Sequence, residues 1–383
     1  MTPLALVTYS TKPRGGVVHT LALAEALHDL GASVRVVALG DPDQGFFRPV
    51  RAPVTIVPGP SGELSLEDKV LGSIDALQRV LARADEPVLH AQDCIGARAA
   101  ARVRDAGAGV QVVRTVHHVD DFSSQVLMDC QRAAIHEPDL VLAVSEVWQR
   151  QLLEDYGVRA GTVPNGVDVA RFATSSAARA AELRASVGAT GRPLLLSVGG
   201  VEPRKGSDTL VRAVHLLKDH HPGPAPVLAV VGGHSFQDHR AYRDAVLAEL
   251  DPLGLELGID VVLVGTVPEA DIPAWYAAAD VLAFPSVKEG FGLAVLEAMA
   301  AGLPVVTSDL PVFREWLVPG RDALLVPVGD VKALAGALAR ALTDTDLRRR
   351  LIGAGRAVAD RFTWAASAER HLEIYAGLGV AVS

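Results

Sequence analysis

The chain has 383 residues, a formal net charge of −9 and two cysteines, Cys94 and Cys130. That length exceeds what one core serves, so two α/β domains of roughly 150–200 residues each are expected. The acidic balance argues against a general nucleic-acid binder. Two cysteines outside any CxxC pair argue against a redox or zinc site, and both read as small apolar fillers. The opening run Leu4–Val7 has no basic flank and reads as a first strand, not a secretory signal. No apolar run reaches about 18 residues. A cytoplasmic protein is therefore expected, with peripheral membrane contact and oligomeric state left open. Arg348-Arg349-Arg350 reads as the solvated face of a helix.

In chain order, Leu4–Tyr9 has the length and apolarity of a strand, broken by Lys12-Pro-Arg-Gly-Gly16. Helical periodicity follows over Val17–Leu30, through Leu21, Leu23, Ala24 and Leu27, and Gly31 stops it. Val34–Leu39, Val54–Val57, Val88–Ala91, Val110–Thr115 and Leu140–Val144 continue as strands, with helices over Leu66–Ala84 and Ile95–Ala106. Solid apolar strands alternating with helices indicate a parallel sheet covered on both faces.

The series pauses after Val163-Pro-Asn-Gly-Val-Asp168, through an Ala, Arg and Ser-rich stretch at 173–192. A second series opens at Leu194–Gly199. Its later strands are Val227–Val231, Val261–Val264, Val281–Phe284, Val305–Thr307 and Ala323–Val326, with helices near 206–220, 238–253, 271–279, 292–301 and 330–342. The expected fold is thus α/β, two doubly wound Rossmann-like domains joined near residue 170. Ligands of such sheets bind outside the carboxyl ends of the strands, which points to a cleft between the domains.

The densest motif is Glu289-Gly-Phe-Gly-Leu-Ala-Val-Leu-Glu297. A strand ends at Phe284-Pro285-Ser286, a loop carries Lys288 and Glu289, and Gly290-Phe291-Gly292 opens a helix at Leu293. Glycines at a helix start let backbone N–H groups approach a phosphate, and the helix dipole favours the anion. Glu289 can accept from sugar hydroxyls. Glu297, about two turns in, can take the paired hydroxyls of a ribose.

The segment resembles the E-x7-E motif of retaining GT-B glycosyltransferases of family 4 (glycosyl transferases group 1). The likeness runs along the whole chain, through Gly15-Gly16, His117, Pro164-Asn-Gly-Val-Asp168, Ser197-Val-Gly-Gly200, Arg204-Lys205-Gly206, Gly265, Phe284-Pro285-Ser286 and Ala301-Gly-Leu-Pro304. The resemblance implies an N-terminal acceptor domain over 1–170, a donor domain over 171–362, and a C-terminal helix within 363–383 that packs back on the first domain. It implies a nucleotide-diphosphate sugar as donor substrate, UDP ranking ahead of GDP and ADP, with no further cofactor. The partner is a hydroxyl acceptor of unread identity, whether metabolite, lipid or glycan.

Arg204 and Lys205 follow a strand end and precede a helix. A leaving diphosphate needs a metal or fixed cations, and a forked guanidinium beside an ammonium supplies the latter. The resemblance assigns this pair that role. The two Asp-x-Asp pairs, Asp41-Pro-Asp43 and Asp344-Thr-Asp346, read as a turn and an inter-helix loop, so no catalytic metal is expected. The resemblance also places Gly15 and Gly16 in a loop over the donor diphosphate, His117 on the transferring sugar and Gly265 beside the base. It puts Gly200, Gly290, Phe291, Gly292, Leu293 and Glu297 in the donor site. His118, Asp120 and Asp121 are candidate acceptor contacts. His90 is read equally as cleft lining and as packing, and Asn165-Gly166 as a tight turn at the domain edge.

The implied reaction is a metal-independent retaining transfer by front-face attack. Rival readings are a nucleotide-sugar epimerase or phosphorylase-like enzyme on the same scaffold, or a non-catalytic nucleotide-sugar binding protein.

Overall fold

The computed structural model describes residues 3–220, 222–233 and 239–378. Residue 238, the start of one expected helix, and residues 379–383 of the expected C-terminal segment lie outside them. The chain divides into two compact units, Met1–Gly166 with Trp364–Ser383, and Val167–Thr363.

The first unit runs β1 (Leu4–Thr8), α1 (Gly15–Asp29), β2 (Val34–Leu39), β3 (Val54–Val57), α2 (Leu66–Leu81), β4 (Val88–Ala91), α3 (Cys94–Asp105), β5 (Gln111–Val116), α4 (Gln125–His136), β6 (Leu140–Ala143), α5 (Glu146–Tyr156) and β7 (Gly161–Thr162). The second runs α6 (Val169–Ala173), α7 (Ala177–Ser186), β8 (Leu194–Val198), a 3-10 turn at Pro203–Lys205, α8 (Ser207–His220), β9 (Val227–Val231), α9 (Arg240–Ala248) and β10 (Val261–Gly265). After a 3-10 turn at Glu269–Asp271 it continues with α10 (Ile272–Ala278), β11 (Val281–Phe284), α11 (Leu293–Ala301), β12 (Val305–Ser308), α12 (Pro311–Arg314), β13 (Leu324–Val326), α13 (Val331–Thr343) and α14 (Thr345–Ala359). The last helix, α15 (Trp364–Gly377), belongs to the first unit.

Both sheets are parallel. Among the described residues their orders are β3-β2-β1-β4-β5-β6-β7 and β10-β9-β8-β11-β12-β13. The central strands β1, β4, β9 and β11 are buried at every position, because helices cover both faces of each sheet. In each sheet the chain reverses its direction of winding once, between β1 and β4 and between β8 and β11. The loops leaving those strands diverge to opposite faces and open a crevice at the carboxyl edge. In the first unit these loops begin at Tyr9 and Gln92. In the second they carry Gly199–Gly206 and Pro285–Gly292.

α15 packs along α1, with Ala368 and Tyr375 in the same core as Leu21, Leu23 and Leu27. The helix α7 falls in the stretch read as a pause. It buries only Ala180 and Leu183, so its apolar stripe was too narrow to register.

Candidate active site

In the second unit the loops after β8 and β11 are joined. Val287 N–H donates to Arg204 O at 2.8 Å. Gly206, at φ 63°, would place a Cβ 2.2 Å from Pro285 O, so only glycine lets the two loops touch. Across this contact Lys205 Nζ donates to Glu289 Oε1 at 2.8 Å, and Arg204 Nη1 to the same oxygen at 3.2 Å. The Lys205 ammonium also sits 4.4 Å from the centre of the Phe284 ring. Glu202 flanks Arg204 at 3.9 Å.

The Glu289 side chain is 8% exposed. Burial alone would push its carboxyl up. The Lys205 and Arg204 charges outweigh burial and hold it at about 2. Burial is likewise the largest influence on Lys205 and draws its ammonium down, with Glu289 opposing and Arg204 assisting. The result is two cations beside two carboxylates, Glu289 and Glu202, with Arg204 the most exposed of the four.

α11 begins at Leu293, so Glu297 lies about one turn in, not two. The reason is Gly292, whose φ of 96° is left-handed and cannot continue a helix backwards. A Cβ there would also meet the Phe313 ring at 2.4 Å. Phe291 is buried, its ring stacked on Trp316 at 5.4 Å and edge-on to Phe362. Its side chain thus pins the turn between the buried Gly290 and Gly292, and the amides of this turn lead into α11.

Glu297 is half-buried and accepts from the Tyr276 hydroxyl at 2.7 Å. Burial raises its carboxyl above the usual range, and Glu269 adds to the rise. Gly200 lies beyond β8, where a Cβ would meet Gly233 O at 2.6 Å. Gly265 ends β10 at φ 76°, with open space around its α-carbon.

In the first unit Gly15 and Gly16 are the opening residues of α1. A Cβ on Gly16 would lie 3.5 Å from the His117 ring. His117 donates from Nε2 to Gln92 Oε1 at 3.1 Å and meets His19 edge-on at 4.6 Å. His19 donates from Nδ1 to Asn165 Oδ1 at 2.9 Å and also touches Trp364. His371 of α15 donates from Nδ1 to Ser367 O at 2.7 Å, with its ring 5.5 Å from His90. His90 is bonded at both ring nitrogens, to the Tyr375 hydroxyl at 2.6 Å and the Thr115 hydroxyl at 2.7 Å.

Of the two roles open to His90, the structure shows packing. Burial dominates all four histidines and keeps them neutral: His19 falls to about 3, His371 to about 4, His90 and His117 well below the ordinary value.

His118 donates to Asp120 Oδ1 at 3.2 Å, and the Asp120 backbone is held by Gln131. Asp121 is exposed in the same loop. The β1–α1 loop is tied down at Tyr9, whose N–H donates to Asp93 Oδ2 at 2.7 Å and whose hydroxyl accepts from Arg14 at 2.6 Å. Asp41 closes a turn by accepting from Asp43 N–H, and Asp344 caps α14. Among the described residues no three His, Cys, Asp or Glu side chains converge as a metal-ligand set, and no helix is long and apolar enough to cross a membrane.

The sequence reading missed Tyr276, Gln92, His19, His371 and Tyr375. His19 carried a signal, being a polar residue one turn from Leu23 on an otherwise apolar helix face. Gln92 carried a weaker one, following directly on a strand.

Two doubly wound units, each with its motif loops at the switch point of its sheet, define the GT-B class of fold. Residues 179–358 match the family described as Glycosyl transferases group 1, and residues 13–171 that described as Glycosyltransferase Family 4. The phosphatidyl-myo-inositol mannosyltransferase of Mycobacterium leprae is 30% identical over 372 residues, covering 96% of this chain and 94% of that one. This chain therefore belongs to the GT-B glycosyltransferases.

A D-inositol 3-phosphate glycosyltransferase from Nocardia farcinica is 36% identical over 251 residues, 64% of this chain. Its aligned part is 54% of its own length, so this chain spans about half of such relatives. Among solved structures, Anabaena Alr3699/HepE in complex with UDP and glucose superposes with a TM-score of 0.82 at 21% identity, over 98% of this chain and all of that one. Sucrose-phosphate synthase from Thermosynechococcus elongatus gives 0.81 at 25% identity over the whole of both chains.

Proposed function

We propose that the protein transfers a glycosyl group from a nucleotide-diphosphate sugar to a hydroxyl acceptor with retention of configuration. The observation that carries this reading is the convergence of Lys205 and Arg204 on one oxygen of Glu289, beside the turn that opens α11. The anomeric C1–O bond to the diphosphate breaks, the acceptor oxygen bonds to C1 from the same face, and its proton passes to a phosphate oxygen. The two cations take up the charge that develops on the diphosphate, so the reading includes no catalytic metal. Glu289 holds the cations in register through Oε1, and a carboxylate with several lone pairs can accept from sugar hydroxyls as well. Its carboxylate, already committed to two cations, makes a poor nucleophile.

In the first unit, His117 presents a neutral imidazole to the sugar, with Gly16 leaving room beside it. His118, Asp120 and Asp121 form the rim on which an acceptor would rest. The names of the relatives support testing inositol phosphates and phosphatidylinositol first. The setting is cytoplasmic, with the donor drawn from UDP, GDP or ADP sugars.

The experiment is a panel of those nucleotide sugars with each acceptor, run with and without excess EDTA, with the product anomer read by NMR. Retained configuration and full turnover in EDTA are expected. An inverted product, or a metal requirement, would overturn the mechanism. Conversion of donor without any acceptor would favour an epimerase.

A further inference from the structure

Glu297 does not stand alone on α11. Tyr276 lies on α10, which packs against α11, and its side chain is only 1% exposed. Its hydroxyl reaches Glu297 Oε2 at 2.7 Å, and the ring is fixed edge-on to Phe172 of α6 at 5.5 Å. α6 in turn packs on α11. Arg171, next to Phe172, donates to both the backbone and the side chain of Glu269, the latter at 2.8 Å. The acidic neighbour of Glu297 is thereby ion-paired. Among the described residues no other side chain donates to the Glu297 carboxylate. A carboxylate on a helix face has several rotamers within reach, and one buried donor from a ring that cannot move selects among them.

We propose that Tyr276 is the positioning residue for the nucleoside half of the donor site: its hydroxyl holds Glu297 Oε2 so that the remaining acceptor positions of the carboxylate meet the paired hydroxyls of a ribose. The inference rests on the reading of Glu297 as the ribose-binding residue. Burial keeps the Tyr276 phenol protonated well beyond its ordinary range, so it remains a donor throughout the working pH. Removing the hydroxyl leaves the packing of the ring on Phe172 intact and frees the carboxylate to turn. The loss should therefore fall on ribose recognition and not on the rest of the nucleotide.

The test is calorimetric binding of UDP and 2′-deoxy-UDP, with the guanosine and adenosine pairs run beside them, to the wild type, Tyr276→Phe, Glu297→Gln and the double variant. For the base that binds, the wild type should favour the ribonucleotide by about 10- to 100-fold, as for hydrogen bonds to a charged group. Tyr276→Phe should shrink that ratio by roughly 10-fold while leaving the deoxynucleotide within about twofold. In the Glu297→Gln background the same change should leave the ratio unaltered, because the two residues act as a unit. A parallel loss of both nucleotides in Tyr276→Phe, or an unchanged ratio, overturns the positioning role. A wild type with no preference for ribose overturns the reading of Glu297 itself, and with it the proposal. Should Tyr276→Phe fold poorly, the ratio in Glu297→Asp gives an independent readout, since the shorter side chain draws the carboxylate away from the phenol. An unchanged ratio there overturns the proposal as well.

Discussion

The two units keep buried polar groups in opposite states. The first gathers four histidines, His90, His117 and His371 with His19, and holds them neutral, with His19, His90 and His371 fully inaccessible. The second gathers full charges, with Glu289 and Lys205 largely shielded and Arg204 about a third exposed beside them. A neutral cluster costs less to bury than a charged one and fixes geometry through hydrogen bonds and ring contacts, although His19 Nε2 and His371 Nε2 are buried without a hydrogen-bond partner among the described residues. A charged cluster costs more and is retained where charge must be ready before a ligand arrives. Under the proposed function, the first unit would shape a surface for uncharged hydroxyls and the second would receive an anion.

Acidification should break this contrast most strongly. An unfolded histidine binds a proton near pH 6.5, while His19 and His371 in the fold resist one until about 3 and 4. Their stabilisation is complete above pH 6.5 and is lost as pH falls through that window. With His90 included, the slope should approach about 4 kcal/mol per pH unit below pH 6. Hydrogen exchange read separately in the two units should find the loss between pH 6.5 and about 4.5 in the first, because Glu289, held at about 2 in the fold, begins to cost the second unit stability only below the 4.5 of an unfolded glutamate. Equal acid sensitivity in both would remove the distinction.

Gly292→Ala probes the other side. A left-handed residue with a Cβ 2.4 Å from Phe313 should cost about 2–5 kcal/mol, seen as a lower thermal midpoint and weakened nucleotide binding. Replacing Arg204 and Lys205 together with alanine should lower kcat/KM by roughly 30- to 1000-fold, about 2–4 kcal/mol, and let the Glu289 carboxyl rise from its depressed value. Unimpaired turnover would remove the cations from the chemistry. The smallest effect is expected for Tyr375→Phe, which takes one hydrogen bond from His90 and should cost about 1 kcal/mol of stability in the first unit alone.

Most of the fold was legible because parallel strands covered on both faces must be solidly apolar. Runs such as Leu4–Thr8 and Val227–Val231 admit little else. The glutamate pair and the two cations were legible as residue types at strand-to-helix turns. Their mutual arrangement was not, since Lys205 and Glu289 are 84 positions apart and meet only because two loops share one switch point. Glu297 was placed a turn too deep because the glycines at 290 and 292 were read as a helix start. A left-handed glycine before a helix and a glycine inside it look alike in sequence. The histidine cluster was hidden for a related reason. Its members come from α1, β4, the loop after β5, and α15, and only the folded core brings them together.

The return of α15 to the first unit also sets an order of assembly on the growing chain. The core that β1 and α1 begin is finished by Ala368 and Tyr375, close to the far end of the sequence. Between Gly166 and Trp364 a ribosome moving at about 5–20 residues per second needs roughly ten to forty seconds. Throughout that interval the first unit waits with His90 and the Leu21–Leu27 face of α1 uncovered, and by its end the second unit has all its strands and can close. The half that emerges first is therefore the half that matures last.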